Sequence, residues 1–370
     1  MKVFIFAGEP SGDLHASKLM QSLKEYNTDI KFFGVGGSLM EAQGLMSLIP
    51  LEQIAVVGFS EVLKRYGLFR RLLRRCKEVM IKEKVDCFIA VDYPGFNLRL
   101  ASFAKKSGIP VYYYIAPQVW AWGKNRWKKI KEIVSELFVV FPFEVEFFAE
   151  KGIKTHFVGH PLLDNPTFDI DNVKEAEKCR DNNLVAFFPG SRKQEIKNNL
   201  ALFVEVANEM QKKDPNLHFG FSVHSNIDRK VFEEYLHKCD FKFTFFDNPH
   251  ELMLKARIGI VKIGTSTLEA ALLNMNMIAV YKASLTHYII GKRVINLPHI
   301  ALPNIIAGKK IVPELIQQHA NPVNIVAEVM NYITSEGLCL EQKNMYSQVR
   351  SVLTGKEKNN IADIIFNSKR

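Results

Sequence analysis

Four short stretches concentrate side chains able to do chemistry. "GEPSGD" packs Glu9, Ser11 and Asp13 around two glycines. "VDYPGFN" sets Asp92 against a Pro-Gly turn with Asn97 close behind. A carboxylate in such a place can take the proton of an attacking hydroxyl, or it can simply form the turn. "PGSRKQEI" feeds Gly190, Ser191 and Arg192 into a helix start, where backbone N–H groups, a hydroxyl and a guanidinium suit a phosphate. "KIGTSTLEAALLN" offers Gly264, Thr265 and, four residues further on one helical face, Glu269. That is a diphosphate loop with a carboxylate for ribose hydroxyls, or a capping box and nothing more. Two phosphate-type loops in one half of the chain together point to a nucleoside diphosphate.

Each stretch follows a run that reads as a buried strand. In the first half these runs are Val3–Ala7, Cys87–Val91, Val111–Ile115 and Leu137–Val140. The second half restarts the rhythm at Leu184–Phe188, His218–Ser222, Phe241–Phe246, Ile258–Val261 and Met277–Tyr281. Short apolar runs separated by helix-length segments predict parallel strands buried on both faces. The expectation is α/β: two doubly wound, Rossmann-like domains facing across a cleft, with ligands at the carboxyl ends of the strands. "GHPLLDNPTFDIDNV" breaks both periodicities and reads as a linker. It divides residues 1–165, completed by a C-terminal helix over 341–370, from residues 166–340.

The 370 residues carry a net charge of +10, which calls for an anionic partner. Nine basic residues fall between Val62 and Lys84, with apolar Val62, Tyr66, Phe69, Leu73, Cys76 and Met80 at helical spacing. This predicts an amphipathic helix whose outer face bears Arg70, Arg71, Arg74 and Arg75. It is a solvated surface or, beside the apolar stretch Gly44–Phe59, a seat on an anionic membrane. "PQVWAWGKNRWKKIK" adds Trp120, Trp122 and Trp127, which can stack on sugars, lie at lipid headgroups or fill core. No nucleic-acid motif accompanies the charge. One lysine and a strand-length apolar run at the start are too short for a signal peptide, and no run reaches the roughly 20 apolar residues of a membrane span. A cytoplasmic protein, peripheral to the inner face of the cytoplasmic membrane, is expected. The five cysteines lack paired spacing, which argues against disulfides and a zinc cage. "GVGG" is not a full dinucleotide fingerprint, and "GEPSGD" is not a nucleophile elbow. "DID" at Asp169–Asp171 follows no strand, so a metal there is not expected, and His156 and His160 read as structural.

In order along the chain, "GEPSGD", "VDYPGFN", "PQVWAW", "FVGHPLLD", "PGSR", "GTSTLEAAL", "ALPNIIAG" and "VPEL" resemble the lipid-A-disaccharide synthases. The resemblance implies an inverting, metal-independent glycosyltransferase of the GT-B architecture with no cofactor. It implies UDP-2,3-diacylglucosamine as donor and 2,3-diacylglucosamine 1-phosphate (lipid X) as acceptor. The family's acceptor-side and catalytic residues carry over onto Glu9, Ser11 and Asp92, and its nucleotide-side residues onto Arg192, Glu269 and, through "ALPN", Asn304. Glu9, Ser11 and Asp13 are then expected to position the acceptor or orient Asp92. Two positions depart from the family pattern, Ile263 in place of serine and Gly95 in place of aspartate, and the second leaves Asp92 as the better base. Rival readings are a UDP-N-acetylglucosamine 2-epimerase and a non-catalytic, membrane-associated nucleotide-sugar-binding protein.

Overall fold

Residues 1–54, 66–120, 126–224, 227–237, 239–282, 297–355 and 359–368 are described by the computed structural model. Every run singled out above forms a strand, the central ones because β-branched and aromatic residues buried on both faces suit the middle of a parallel sheet, and Phe241–Phe246 as a partly exposed edge strand from Phe243. The first sheet comprises β1 (Lys2–Ala7), β2 (Lys31–Val35), β3 (Leu45–Ser47), β4 (Cys87–Val91), β5 (Val111–Tyr114), β6 (Glu136–Val139) and β7 (Thr155–Phe157). Its spatial order is β3-β2-β1-β4-β5-β6-β7, and all pairs are parallel. The second comprises β8 (Asp181–Phe188), β9 (His218–Ser222), β10 (Phe243–Phe246), β11 (Ala256–Lys262), β12 (Asn276–Tyr281) and β13 (Glu314–Ile316), in the order β10-β9-β8-β11-β12-β13, again parallel.

Both sheets are doubly wound, as expected. The chain leaves β1 to build β2 and β3 on one side, then returns to place β4 on the other. It repeats this around β8 and β11. Each reversal opens a crevice at the carboxyl ends of two neighbouring strands, where the loops diverge to opposite faces. The loops at these crevices are those after β1 and β4 in the first sheet and those after β8 and β11 in the second. All four chemical stretches of the sequence lie there.

The compact units are residues 1–161 with 355–370, and residues 162–354. The helix Glu336–Thr354 lies with the second unit, so of the C-terminal stretch expected to complete the first, only Gly355 onward does so. The helix Ile361–Asn367 packs there against Pro10–Tyr26, stacking Phe366 on Tyr26 with ring centroids 5.4 Å apart. Asp169 and Asp171 do not form a paired site, because Asp169 caps the helix Ile170–Glu177 by accepting from the N–H groups of Asp171 and Asn172.

The cationic helix is described from Tyr66 to Lys82. It buries Leu72, Cys76 and Met80, and Arg70, Arg71, Arg74 and Arg75 are exposed. Tyr66, expected on the apolar face, is 60% exposed. Arg75 is already engaged, since its guanidinium donates to the Leu48 carbonyl at 2.8 Å. The apolar stretch beside the helix differs from the expectation of a free lipid-facing surface. Leu45, Leu51 and Ile54 are buried in the unit, and Leu48 and Ile49 pack against its core. Met46 is exposed, and residues 55–65 lie outside the described residues. Among the described residues no helix is long and apolar enough to cross a membrane.

Candidate active site

In the first unit the turn after β4 is held in an uncommon backbone shape. Asp92 and Tyr93 have φ of 46° and 48°, and Ile115, at the tip of the adjacent β5, has 61°. Left-handed non-glycine residues cost of order 1–3 kcal/mol each, and a β-branched one is a true outlier. The surrounding structure therefore has to hold them. The Asp92 carbonyl accepts from Asn97 Nδ2 and from Tyr113 Oη, both at 2.7 Å, and Asp92 N–H donates to the Tyr114 carbonyl at 2.9 Å. Asn97 thus fixes the Asp92 backbone and leaves the carboxylate unengaged by it.

Asp92 lines a pocket of about 310 Å³ with Pro94, Ile115, Ala116, Pro117, Gln118, Val119 and Arg126. Burial and the neighbouring Glu9 carboxylate push its pKa up to about 6, opposed by a hydrogen bond from the Tyr93 backbone. A carboxylate in that range is ionised at neutral pH and a stronger base than an ordinary aspartate. Glu9 and Ser11 are both exposed at the start of the helix Pro10–Tyr26, and Glu9 makes no side-chain cap there. The two loops are locked together by Tyr93, whose ring covers Gly8.

Asp13 does not join them. It is buried, and its carboxylate accepts from the N–H groups of Gly37, Leu39 and Met40 at 2.8, 3.2 and 3.1 Å, capping the helix Ser38–Ala42. A carboxylate occupied by three amides cannot contact a substrate, so the substrate-binding role expected of Asp13 gives way to one in the scaffold. Gly95 is exposed, and a Cβ there would meet nothing within 4 Å, so the aspartate of the family pattern would fit without displacing anything. Trp120 is not displayed for stacking, because its indole N–H donates to buried Glu144 at 2.8 Å and its ring lies edge-on to Phe143. Burial pushes Glu144 up to about 7, against that hydrogen bond. Trp127 packs against the core, and Trp122 lies outside the described residues. His156 pairs with buried Glu136 at 2.8 Å, and burial lowers His160 to about 4.

In the second unit two helices start without side-chain caps at the crevice, Lys193–Lys213 after β8 and Thr265–Leu272 after β11. Their free N–H groups and positive ends favour an anion. Gly190 has φ of 122°, and a Cβ there would come within 2.7 Å of the Glu195 carboxylate, so the turn requires glycine. Ser191 and Arg192 are exposed beside it. Around Gly264 there is open space: a Cβ would meet only Lys262 Nζ, at 3.8 Å. Thr267 spends its hydroxyl on the Gly264 carbonyl at 2.7 Å, whereas Thr265 is exposed.

The structure adds Lys262, the last residue of β11. Glu195 Oε1 accepts from Lys262 at 3.0 Å and from Arg192 at 3.4 Å, drawing the cations of both loops to one point. Nothing in "VKIG" marked this lysine, because only the sheet order makes the two loops neighbours. Glu269 faces His250, with 3.5 Å between Nε2 and the carboxylate. Asn304 is fully buried and wholly occupied: it accepts from the N–H groups of Ile311 and Val312 and donates to the Val312 carbonyl and to Glu314. Its expected contact with the nucleotide is replaced by a role in shaping the loop. Ile263 is buried, and its N–H donates to the Val280 carbonyl.

Residues 3–367 match the lipid-A-disaccharide synthetase family. The chain belongs to the lipid-A-disaccharide synthase family. The synthase of Geobacter sulfurreducens is 35% identical over 98% of this chain and 96% of its own length. That of Sulfurihydrogenibium sp. is 36% identical over 96% and 95%. Membership makes the chain a glycosyltransferase of lipid A biosynthesis and sets the epimerase reading aside. Solved structures share the fold alone. UDP-GlcNAc 2-epimerase from Neisseria meningitidis, bound to UDP-GlcNAc, superposes with a TM-score of 0.63 at 15% identity, covering 100% of this chain and 99% of that one. A spinosyn rhamnosyltransferase gives 0.57 at 10%, covering all of both chains. Doubly wound pairs of this kind serve epimerases and transferases alike, so the synthase assignment rests on sequence over the full length.

Proposed function

We propose that the protein transfers 2,3-diacylglucosamine from UDP-2,3-diacylglucosamine to the 6-hydroxyl of lipid X, giving a β-1,6-linked disaccharide 1-phosphate and UDP. The observation that carries this is the Asp92 carboxylate, brought up to about 6 in a sugar-sized pocket at the first crevice. As the acceptor hydroxyl attacks the anomeric carbon from the face opposite UDP, Asp92 takes its proton, and the configuration inverts. Glu9 keeps Asp92 basic, and Ser11, exposed on the same loop, is available to the acceptor.

The departing diphosphate gathers negative charge. Arg192 and Lys262, with the uncapped amides near Ser191 and Thr265, supply fixed positive charge for it, and Glu269 accepts from the ribose. This is charge that other transferases draw from a metal ion, and on these residues we read the reaction as metal-independent. Both substrates carry acyl chains, so the enzyme meets them at the anionic inner surface of the membrane, through the exposed guanidinium groups of Arg70, Arg71 and Arg74.

The test is direct. The protein is incubated with both substrates in detergent, and the products are identified by mass spectrometry. Disaccharide 1-phosphate and UDP in equal amounts support the proposal. UDP released without disaccharide, or neither product, would overturn it.

A further inference from the structure

The Asp92 pocket holds one cation among its described residues, Arg126, at the first position of the helix Arg126–Ile133. The other side chains lining it are Asp92, Gln118 and apolar groups. Arg126 is exposed, and no described carboxylate or carbonyl accepts from its guanidinium. Several other arginines of this chain are committed to partners within the fold. Arg75 donates to Leu48, Arg180 to three carbonyls, Arg229 to Asp247 and Arg350 to Phe168. An uncommitted guanidinium lining the same pocket as a raised carboxylate is equipped for an anion carried on the molecule whose proton that carboxylate takes.

We infer that Arg126 is the phosphate-binding residue of the acceptor subsite, selecting an acceptor sugar that bears an anomeric phosphomonoester. The inference rests on the reaction proposed above. A phosphomonoester brings close to two negative charges at neutral pH. The pocket already faces Asp92, with Glu9 acting on it electrostatically. Without a cation such an acceptor would be repelled, and Arg126 offsets that repulsion on its side of the pocket. Arg126 then governs the affinity for the phosphorylated acceptor, while Asp92 in the same pocket takes the proton.

The cation is not isolated on its helix. Lys128 and Lys129 line a separate groove of about 530 Å³ with Lys105 and Lys106. That groove contains no carboxylate that could accept a proton except Glu132, and Asp92 does not reach it. The phosphate of a reacting acceptor thus belongs with Arg126, and the lysine groove serves as its control.

The experiment compares two acceptors in detergent micelles with one donor: 2,3-diacylglucosamine 1-phosphate and the same lipid without its phosphate. The readout is the ratio of their kcat/KM values. Wild type should favour the phosphorylated acceptor, and R126Q should lower the ratio about 10- to 100-fold, the worth of one charge-assisted contact. R126K should fall between the two, because an ammonium keeps the charge and loses the fork. K128Q/K129Q should keep the wild-type ratio. Thermal unfolding of each variant establishes that its fold is intact. A ratio unchanged in R126Q, an equal loss with both acceptors, or no preference in wild type would overturn the subsite while leaving the reaction standing. No disaccharide from wild type with either acceptor would overturn the reaction, and the subsite with it.

Discussion

The ring of Tyr93 lies against Gly8 so closely that a Cβ added to Gly8 would come within 2.5 Å of it. The loops after β1 and β4 are therefore one mechanical piece, and the backbone shape of Asp92 depends on a glycine far away in sequence. Gly8→Ala should destabilise the protein by about 1–3 kcal/mol, the usual cost of overpacking, and should lower turnover more than it weakens UDP binding. Adding Tyr93→Ala should recover part of the stability lost, because the clash disappears with the ring. Denaturant unfolding of the two single variants and the double variant gives the coupling. Strictly additive losses would show that the contact is not what holds the loops.

Asp92→Asn should reduce turnover by two to four orders of magnitude, the ordinary worth of a general base, and leave UDP affinity nearly unchanged. Its effect on stability has a definite sign. The folded protein holds the Asp92 proton up to about pH 6, higher than the unfolded chain does, so stability falls as pH rises from about 4 to 6 and stays lower above. The asparagine variant escapes that loss. It should be more stable to unfolding than wild type at pH 8 by up to about 3 kcal/mol, with the difference shrinking below pH 4. In wild type the rate should climb through pH 6 to a plateau. A variant no more stable than wild type at pH 8 would show that burying this charge costs little.

Arg192→Ala and Lys262→Ala should each weaken UDP binding about 10-fold or more, and with it turnover, since each removes a cation from the uncapped helix starts after β8 and β11. Calorimetry with UDP checks both. An unchanged affinity for the lysine variant would mean that Lys262 serves only to hold Glu195.

Arg70, Arg71 and Arg74 reversed to glutamate should abolish co-sedimentation with anionic vesicles, as each basic residue near such a surface contributes about 1 kcal/mol within a Debye length of about 8–10 Å. Activity in detergent should persist. Arg75 is left intact because its contact with Leu48 belongs to the fold. Vesicle binding as strong as wild type would make this helix a solvated face.

The central strands were legible because a run such as Cys87–Val91 is apolar on both faces and ends in a Pro-Gly turn. The short edge strands β3, β7 and β13, each three residues long, carry too little periodicity to be read, and exist by pairing with a neighbour. The same division runs through the site. Loops were readable from glycine, proline and hydroxyl composition, but the direction in which a polar side chain points was not. Asp13 and Asn304 sit in motifs that look chemical, and the amides they serve come from other turns. Lys262 and Arg126 look like ordinary surface cations until the strand order puts one beside Glu195 and the other on the Asp92 pocket.

Because residues 355–368 complete the unit that begins at residue 1, the order of synthesis and the order of assembly differ. The segment 162–354 emerges whole from the ribosome and can close its own sheet while the first unit still lacks the helix that covers Tyr26 and Tyr112. Domains made first ordinarily fold first. Here the amino-terminal one has to wait, exposing part of its helix Pro10–Tyr26 during translation until the helix Ile361–Asn367 has been made. A nascent chain halted just after Thr354 would carry a finished second sheet joined to an unclosed first unit, a species that chaperones would be expected to bind at the uncovered aromatic faces.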